Sequence, residues 1–340
     1  MIDIKRRRII QGAAAIAVAP AAAILPGQAR AAAEFTFKCG HDLPVTHAMH
    51  VRLLEASARI KTESGGRFDL QVFGNNQLGG DTDMLAQTRS GGMEMVLMPE
   101  IILGTLVPLA ALNAVGFAFD SEERAHAAMD GQLGAFVRGK IAGAGLVAFD
   151  NIWENGFRQI TSNAKPVKGP DDLKGFKIRV PVAPLWVSMY KAFGAGPTAL
   201  NLSELYSALQ TKIVEGQENP LSTIYTSKFY EVQKYCSLTN HVWNGYWPVM
   251  NKRAWATVPQ PLQEIVTRHV NRSAMDLRAD VARLNASLET TLAQKGMTVN
   301  RTDPKPFREA LRKAGFYDEW KKKFGSQAWD VLLQYAPGLA

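Results

Sequence analysis

The sequence predicts an α/β protein of two units joined by one long helix. Two observations carry that prediction. Strand-like and helix-like stretches alternate twice, over about residues 35–98 and again over 176–211, which is the grammar of a parallel sheet with crossover helices. From Leu262 to Lys295 there is neither glycine nor proline, and apolar residues recur at helical spacing. Such a helix is about 50 Å long at 1.5 Å per residue, longer than one compact domain is wide. With 340 residues, 46% of them hydrophobic and 21% charged, the chain has ordinary globular composition and room for two domains.

Taken in order, Glu34–Gly40 alternates as a strand with Phe35, Phe37 and Cys39 on one side, and Thr46 is placed to cap a helix running through Lys61. Ser64-Gly65-Gly66 stops that helix. Phe68–Phe73 reads as a second strand, Asp81–Arg89 as a short helix and Met93–Met98 as a third strand. Ser121-Glu122-Glu123 opens a helix that reaches about Ala142, and Leu146–Asp150 is again strand-like. The Gly143-Ala144-Gly145 run between them matches a dinucleotide fingerprint only superficially. It follows a helix and precedes a strand, whereas a phosphate site needs glycines that open a helix and turn its amides toward the anion. Trp153–Gln159 leads into a polar turn region. The alternation then resumes with strand Phe176–Val180, helix about Ala183–Phe193, an extended run Pro197–Leu200 and helix about Leu202–Thr211, capped by Asn201 or Ser203. A unit boundary falls near residue 150. Tyr230–Asn240 and Gly245–Asn251 are strand-like, and Lys305–Lys323 reads as one amphipathic helix after the long one.

Residues 1–31 read as an export signal and not as part of the fold. Lys5-Arg6-Arg7-Arg8 precedes an alanine-rich apolar run, Gly12–Leu25, and a small-x-small cleavage pattern at Ala29-Arg30-Ala31. The run is too short to span a bilayer stably. The arginines with Ile9 and Ile10 fit either a twin-arginine signal or a Sec signal with a strongly basic start, so the mature chain is expected to begin near Ala32 in an exported compartment. The formal charge of the whole chain is +8. Lys5, Arg6, Arg7, Arg8 and Arg30, against Asp3, all belong to the signal, which leaves the mature chain only mildly basic. That argues against nucleic acid as a partner while still drawing anions toward a cleft. Cys39 and Cys236 lie in apolar strand-like runs and read as buried thiols, with a disulfide as the alternative in an oxidising compartment.

No HExxH, GxSxG, CxxC or phosphate-loop pattern occurs, which removes the usual grounds for proposing an enzyme. His41, His47 and His50 match no familiar zinc spacing, and an exported metal-dependent enzyme using them is the alternative to be tested. The informative stretch is Phe176–Pro220. Arg179 stands inside an apolar strand pattern, where an unpaired cation is costly and recruits an anion; an internal salt bridge to Glu218 or Glu204 is the competing explanation. Glu218-Asn219-Pro220 reads as a polar corner at a turn. Arg158 is either a cleft residue or a surface arginine at a strand end. Glu100, just after Pro99, falls where parallel strands end and ligand sites form. Trp153, Trp186, Trp243, Tyr246 and Trp247 are more often core than cleft wall.

Several ordered motifs then point to a family. Trp153-x-x-Gly156-Phe157-Arg158, Asp172-Leu173-Lys174-Gly175-x-Lys177-Ile178-Arg179-Val180-Pro181, Ala208-Leu209-Gln210, Val214-x-Gly216-Gln217-Glu218-Asn219-Pro220 and Thr239-Asn240-His241 resemble the substrate-binding proteins of tripartite ATP-independent periplasmic (TRAP) transporters, the DctP family. Gln77-Leu78-Gly79-Gly80 and the long helix belong to the same resemblance, which covers the mature chain. It implies a two-domain, periplasmic-binding-protein-like (type II-like) α/β fold with a long interdomain helix. Domain I would comprise 32–152 plus 243–283 and domain II 153–242 plus 284–340, with the helix 262–295 spanning both. It implies a periplasmic receptor and not an enzyme, monomeric, with no cofactor and no bound metal. Its partners would be a small organic acid and the membrane subunits of the transporter. Arg179 matches the arginine that pairs with the substrate carboxylate, where a guanidinium fork suits two oxygens. Arg158 matches a second cleft arginine and Asn219 the amide near the same carboxylate. Glu100, His41 and Trp153 complete the expected ligand-binding set. After Arg-Val-Pro some members carry a polar residue that reaches the ligand. Here it is Val182, which, with the tryptophans near the expected cleft, fits a partly apolar or aromatic acid and argues against a heavily hydroxylated one; a dicarboxylate and a keto acid are the other expected ligands.

Overall fold

The computed structural model describes residues 32–339, so the expected export signal lies outside the described residues. The first series consists of β1 (Phe35–Gly40), α1 (Ala48–Glu63), β2 (Phe68–Phe73), α2 (Asp81–Ser90) and β3 (Met95–Pro99). β1 pairs in parallel with β2 and β3, so α1 and α2 are crossover helices, as the alternation predicts. The cap of α1 is His47 and not Thr46: its Nδ1 accepts the Met49 backbone N–H at 3.2 Å, an imidazole doing what a hydroxyl usually does.

α3 (Glu100–Leu103) follows β3 directly. The helix expected from Ser121 to Ala142 is two helices, α4 (Glu122–Asp130) and α5 (Gln132–Gly143). Ser121 caps the first as expected. They part at Gly131, where a Cβ would come within 2.7 Å of the Ala127 carbonyl and the Tyr335 hydroxyl. β4 (Leu146–Ala148) is followed by β5 (Trp153–Ser162), a ten-residue strand where the sequence reading expects a turn region after Gln159. The second series is β6 (Lys177–Val180), α6 (Pro184–Ala192), β7 (Gly196–Ala199), α7 (Leu202–Gln210) and β8 (Gly216–Pro220). β6 is parallel to both β7 and β8. The expected turn at Glu218-Asn219-Pro220 is therefore a strand. All five residues of β8 are buried, because β5 and β6 flank it on either side.

The remainder comprises α8 (Leu221–Thr226), β9 (Tyr235–Leu238), β10 (Trp243–Asn251), α9 (Lys252–Ala256), α10 (Gln260–Gln294), β11 (Thr298–Arg301), α11 (Pro304–Lys313), α12 (Phe316–Phe324) and α13 (Ser326–Leu333). The single helix expected over Lys305–Lys323 is broken at Gly315, whose φ of 72° is left-handed and ends a helix cheaply. The strands form one continuous sheet in the order β2-β1-β3-β10-β5-β8-β6-β7. Two parallel half-sheets are thus joined by an antiparallel pair, β10 and β5, whose register shifts between Asn244 and Gly245.

α10 runs for 35 residues, about 52 Å at 1.5 Å per residue, and bridges two hydrophobic cores. Leu262, Val266, Val270, Leu277 and Val281 pack with Phe37, Leu53 and Phe68 of the first half, while Leu288 and Leu292 pack with Leu205, Leu209 and Ile224 of the second. It crosses β5 at Gly156, which has φ 98° and would set a Cβ 3.5 Å from Val281 and Asn285. Arg52 holds Asp280 at 2.6 Å and Arg278 holds Asp130 at 2.7 Å, pinning the helix to both α1 and α4. Cys39 and Cys236 are free, buried thiols in separate cores.

Candidate ligand-binding site

The two arginines singled out by the sequence lie on the two strands that flank β8 and do different things. Arg158, on β5, is buried, not a surface residue. Its Nε donates to Glu218 Oε2 at 2.5 Å and Nη1 to Asn244 Oδ1 at 2.9 Å. Nη2 reaches Glu218 Oε1 at 2.9 Å, the Glu218 carbonyl at 2.7 Å and Asn219 Oδ1 at 3.0 Å. The Trp186 ring covers the guanidinium at 4.6 Å. Burial alone would push the Glu218 carboxyl up, yet Arg158 and His241 together hold it below the ordinary carboxylate range. His241 contacts Glu218 at 3.1 Å, and Thr239 and Tyr190 flank its ring. Every guanidinium nitrogen of Arg158 is therefore engaged by protein acceptors. The salt bridge considered for Arg179 is made by Arg158.

Arg179 is on β6. Strand alternation turns Ile178 and Val180 into the large hydrophobic cluster and leaves Arg179 on the other face. It is only 1% exposed. Nε and Nη2 both donate to one acceptor, the Leu200 carbonyl, at 2.9 and 2.6 Å. Among the described residues no carboxylate lies within ion-pair distance of it; Glu204 instead caps α7 through the Asn201 N–H. Burial, against the partial help of Glu218, pulls its titration down to about 10. A buried guanidinium held on one carbonyl, with no bond from Nη1 among the described residues, has donor capacity left over for an anion.

Three carboxyl groups share the same region, each from a different element at the carboxyl end of the first half-sheet. Glu100, at the end of β3, accepts from Asn244 Nδ2 at 2.8 Å and from the Gly245 N–H at 3.0 Å, while its Oε1 has no protein partner. Burial pushes it up to about 7. Asp42, after β1, takes the Tyr246 hydroxyl at 3.2 Å on Oδ2, and Asp81 opens α2. The two carboxyls contact each other, and Asp81 also faces the Leu202 N–H. Burial and their mutual repulsion raise Asp42 well above the ordinary range. Burial also raises Asp81, with the Arg179 charge offsetting part of that effect. Asn244 links the groups, accepting from Arg158 and donating to Glu100.

Arg158, Arg179, Asn219 and Glu100 thus lie in one buried region. His41 does not join them: its Nε2 bonds His50 Nδ1 at 2.8 Å, and burial lowers its titration to about 3. Trp153 sits in the first-half core and pairs in register with Tyr246; its indole N–H is buried without a partner. Asp42, Asp81 and Asn244 were missed. Asp42 adjoins His41, and Asp81 follows the Gln77–Gly80 motif, but nothing local tells that two acids so far apart in the chain meet.

The family described as bacterial extracellular solute-binding protein, family 7 (DctP), matches residues 39–323. A solute-binding protein of Roseobacter denitrificans is 32% identical over 305 residues, covering 90% of this chain and 92% of that one. The sugar acid binding protein DctPAm of Advenella mimigardefordensis, solved with galactonate, superposes with a TM-score of 0.85 at 29% identity, covering 90% of this chain and 98% of that one. A TRAP periplasmic solute-binding protein of Sulfurospirillum deleyianum, solved with succinate, gives 0.82 at 29% identity and covers 89% and 98%. The family model covers well over half of the sequence and the solved relatives superpose along nearly their whole length, so the chain belongs to family 7 of the bacterial extracellular solute-binding proteins, the DctP receptors of TRAP transporters.

Proposed function

We propose that the protein is a periplasmic receptor that closes two lobes on a small organic acid, grips it by its carboxylate at Arg179, and presents it to the membrane subunits of a TRAP transporter. The observation that carries this reading is Arg179 itself, buried, charged and, among the described residues, in no ion pair. Arg158 and Asn219 shape the wall beside it, with Glu100 on the far side. The lobes are 32–152 with 243–283 and 153–242 with 284–340, and α10 is their common spine. Closure buries Arg179 and the carboxyl groups together, which is unfavourable without an anion and favourable with one, so ligand selects the closed form by its differential affinity.

The family and the acids bound by the solved relatives support this reading, as does the mild net charge of the mature chain. Export with cleavage near Ala31 and action as a monomer belong to the same proposal. The enzyme alternative has no observation behind it: His41 and His50 bond to each other, and His47 caps α1 and contacts Ser222 at 3.1 Å. A thermal-shift screen of the purified mature protein against mono- and dicarboxylates, keto acids, sugar acids and aromatic acids tests it. At least one class is expected to raise the melting temperature in a concentration-dependent way. No shift with any acid would refute the receptor reading.

A further inference from the structure

The two lobes meet at a contact that gripping a carboxylate does not require. α2 and α7 come one from each parallel series, and their N-cap residues, Gly80 and Asn201, touch. A Cβ on Gly80 would lie 3.1 Å from Asn201 Nδ2, 3.2 Å from its Cγ and 3.6 Å from its Cβ, and no other atom would be nearer. Asn201 Nδ2 also approaches Thr82 Oγ1 at 3.5 Å. The backbone of Gly80, with φ −68° and ψ 171°, is of a kind that any residue adopts. The local chain therefore does not call for glycine; the asparagine of the other lobe does.

The two N-termini are otherwise prepared alike. Asp83 accepts the Gly80 N–H at 3.2 Å, and Glu204 accepts the Asn201 N–H at 3.0 Å, so the backbone of each N-cap is held from within its own helix. An N-cap asparagine ordinarily turns its side-chain oxygen onto a first-turn N–H. Asn201 does not: it makes no side-chain cap bond, and its Oδ1 is buried without a partner. Asp81, from the first turn of α2, instead faces the Leu202 N–H, the first of α7. The second-lobe helix is thus served by a carboxyl of the first lobe, while its own capping residue is drawn across the cleft into the notch at Gly80.

Resting on the two-lobe receptor reading above, we propose that Asn201 is a two-position latch for lobe closure. With the lobes together, its amide fills the Gly80 notch and Asp81 serves the first turn of α7. With the lobes apart, Asp81 withdraws and Asn201 turns back to cap its own helix. Neither position strands the first-turn donors of α7, and the two are discrete packings and not stages of a gradual drift. Gly80 and Asn201 are positioning residues: they act on a ligand through the fraction of the protein that is closed.

Small-angle X-ray scattering from the mature protein without added acid tests the latch, because it reads lobe separation directly. Gly80→Val fills the notch and is expected to enlarge the radius of gyration by about 0.5 Å, against about 19 Å for a compact chain of this length. Gly80→Ala, which asks Asn201 to give way by only a few tenths of an ångström, is expected to produce a smaller step of the same sign and carries the test if valine unfolds the chain. Gly80→Val/Asn201→Ala conserves the volume of the contact and is expected to restore the wild-type radius, with thermal unfolding confirming that each variant is folded. An unchanged radius in both Gly80 variants, or an enlarged one that Asn201→Ala does not restore, would overturn the latch and leave the receptor reading standing. A screen in which no acid binds would refute the receptor whatever the radius does, so the two failures are told apart.

Discussion

Replacing Arg179 with methionine separates binding from stability. The change keeps most of the side-chain volume and removes the charge. In the structure the guanidinium makes two contacts to one carbonyl and no ion pair, and burial lowers its titration to about 10 from an ordinary 12.5. A cation whose folded pKa is depressed carries its full penalty at any pH below the folded value, so at pH 7 the charge costs the folded state about 3 kcal/mol, at 1.36 kcal/mol per pKa unit. Losing the contacts to Leu200 costs about 1 kcal/mol. The ligand-free Arg179→Met protein is therefore expected to melt at the wild-type temperature or above. Binding is expected to behave in the opposite way. A ligand carboxylate would enter the closed site with no cation, a loss of about 3–5 kcal/mol, or roughly 150- to 5,000-fold in Kd. Calorimetry with the tightest acid from the screen, alongside thermal unfolding without ligand, measures both. A Kd within tenfold of wild type would refute the carboxylate grip. A fall of several kcal/mol in ligand-free stability would show that Arg179 is a structural residue.

Arg158→Met should show the reverse pattern, because it strands the buried Glu218 carboxylate. A stability loss of about 3–5 kcal/mol in denaturant titration is expected, partly recovered in the Arg158→Met/Glu218→Gln double variant; a loss below 1 kcal/mol would show the pair to be dispensable. His47 supplies a pH test. Burial lowers it to about 4, and its Nδ1 must stay unprotonated to cap α1. A group with a depressed folded pKa contributes stability that is present above its unfolded value near 6.5 and is lost as pH falls through the folded one. His47→Asn, which can still cap, is expected to flatten the decline in stability between pH 6.5 and 4 relative to wild type. An unchanged slope would show that this imidazole does not control it.

The contrast between the arginines explains why the site is read only in part from the chain. Both stand in strands with apolar neighbours, and both match arginines of the same family. Which one is neutralised depends on β8 lying between β5 and β6, so that Glu218 faces Arg158 at 2.5 Å while Arg179 looks across to Leu200. The expectation of a turn at Glu218–Pro220 failed for the same reason. A polar pentapeptide becomes a buried strand when the flanking strands satisfy its backbone and Arg158, with Gln217, its side chains.

By itself the sequence determined the class and the parts. Strand and helix periodicities gave the two parallel series, the uninterrupted run from Leu262 to Lys295 gave the spine, and the motifs around Arg158, Arg179 and Gly216–Pro220 gave the family. These are local signals, set by residue spacing along one element. The tertiary structure decided the joining of both series into one sheet through β5 and β10, the division of labour between the arginines, and the meeting of Asp42, Asp81 and Glu100. Each of these depends on where distant strand ends come to rest, and a carboxyl group's charge, partner and purpose follow from its neighbours in space and not from those in sequence.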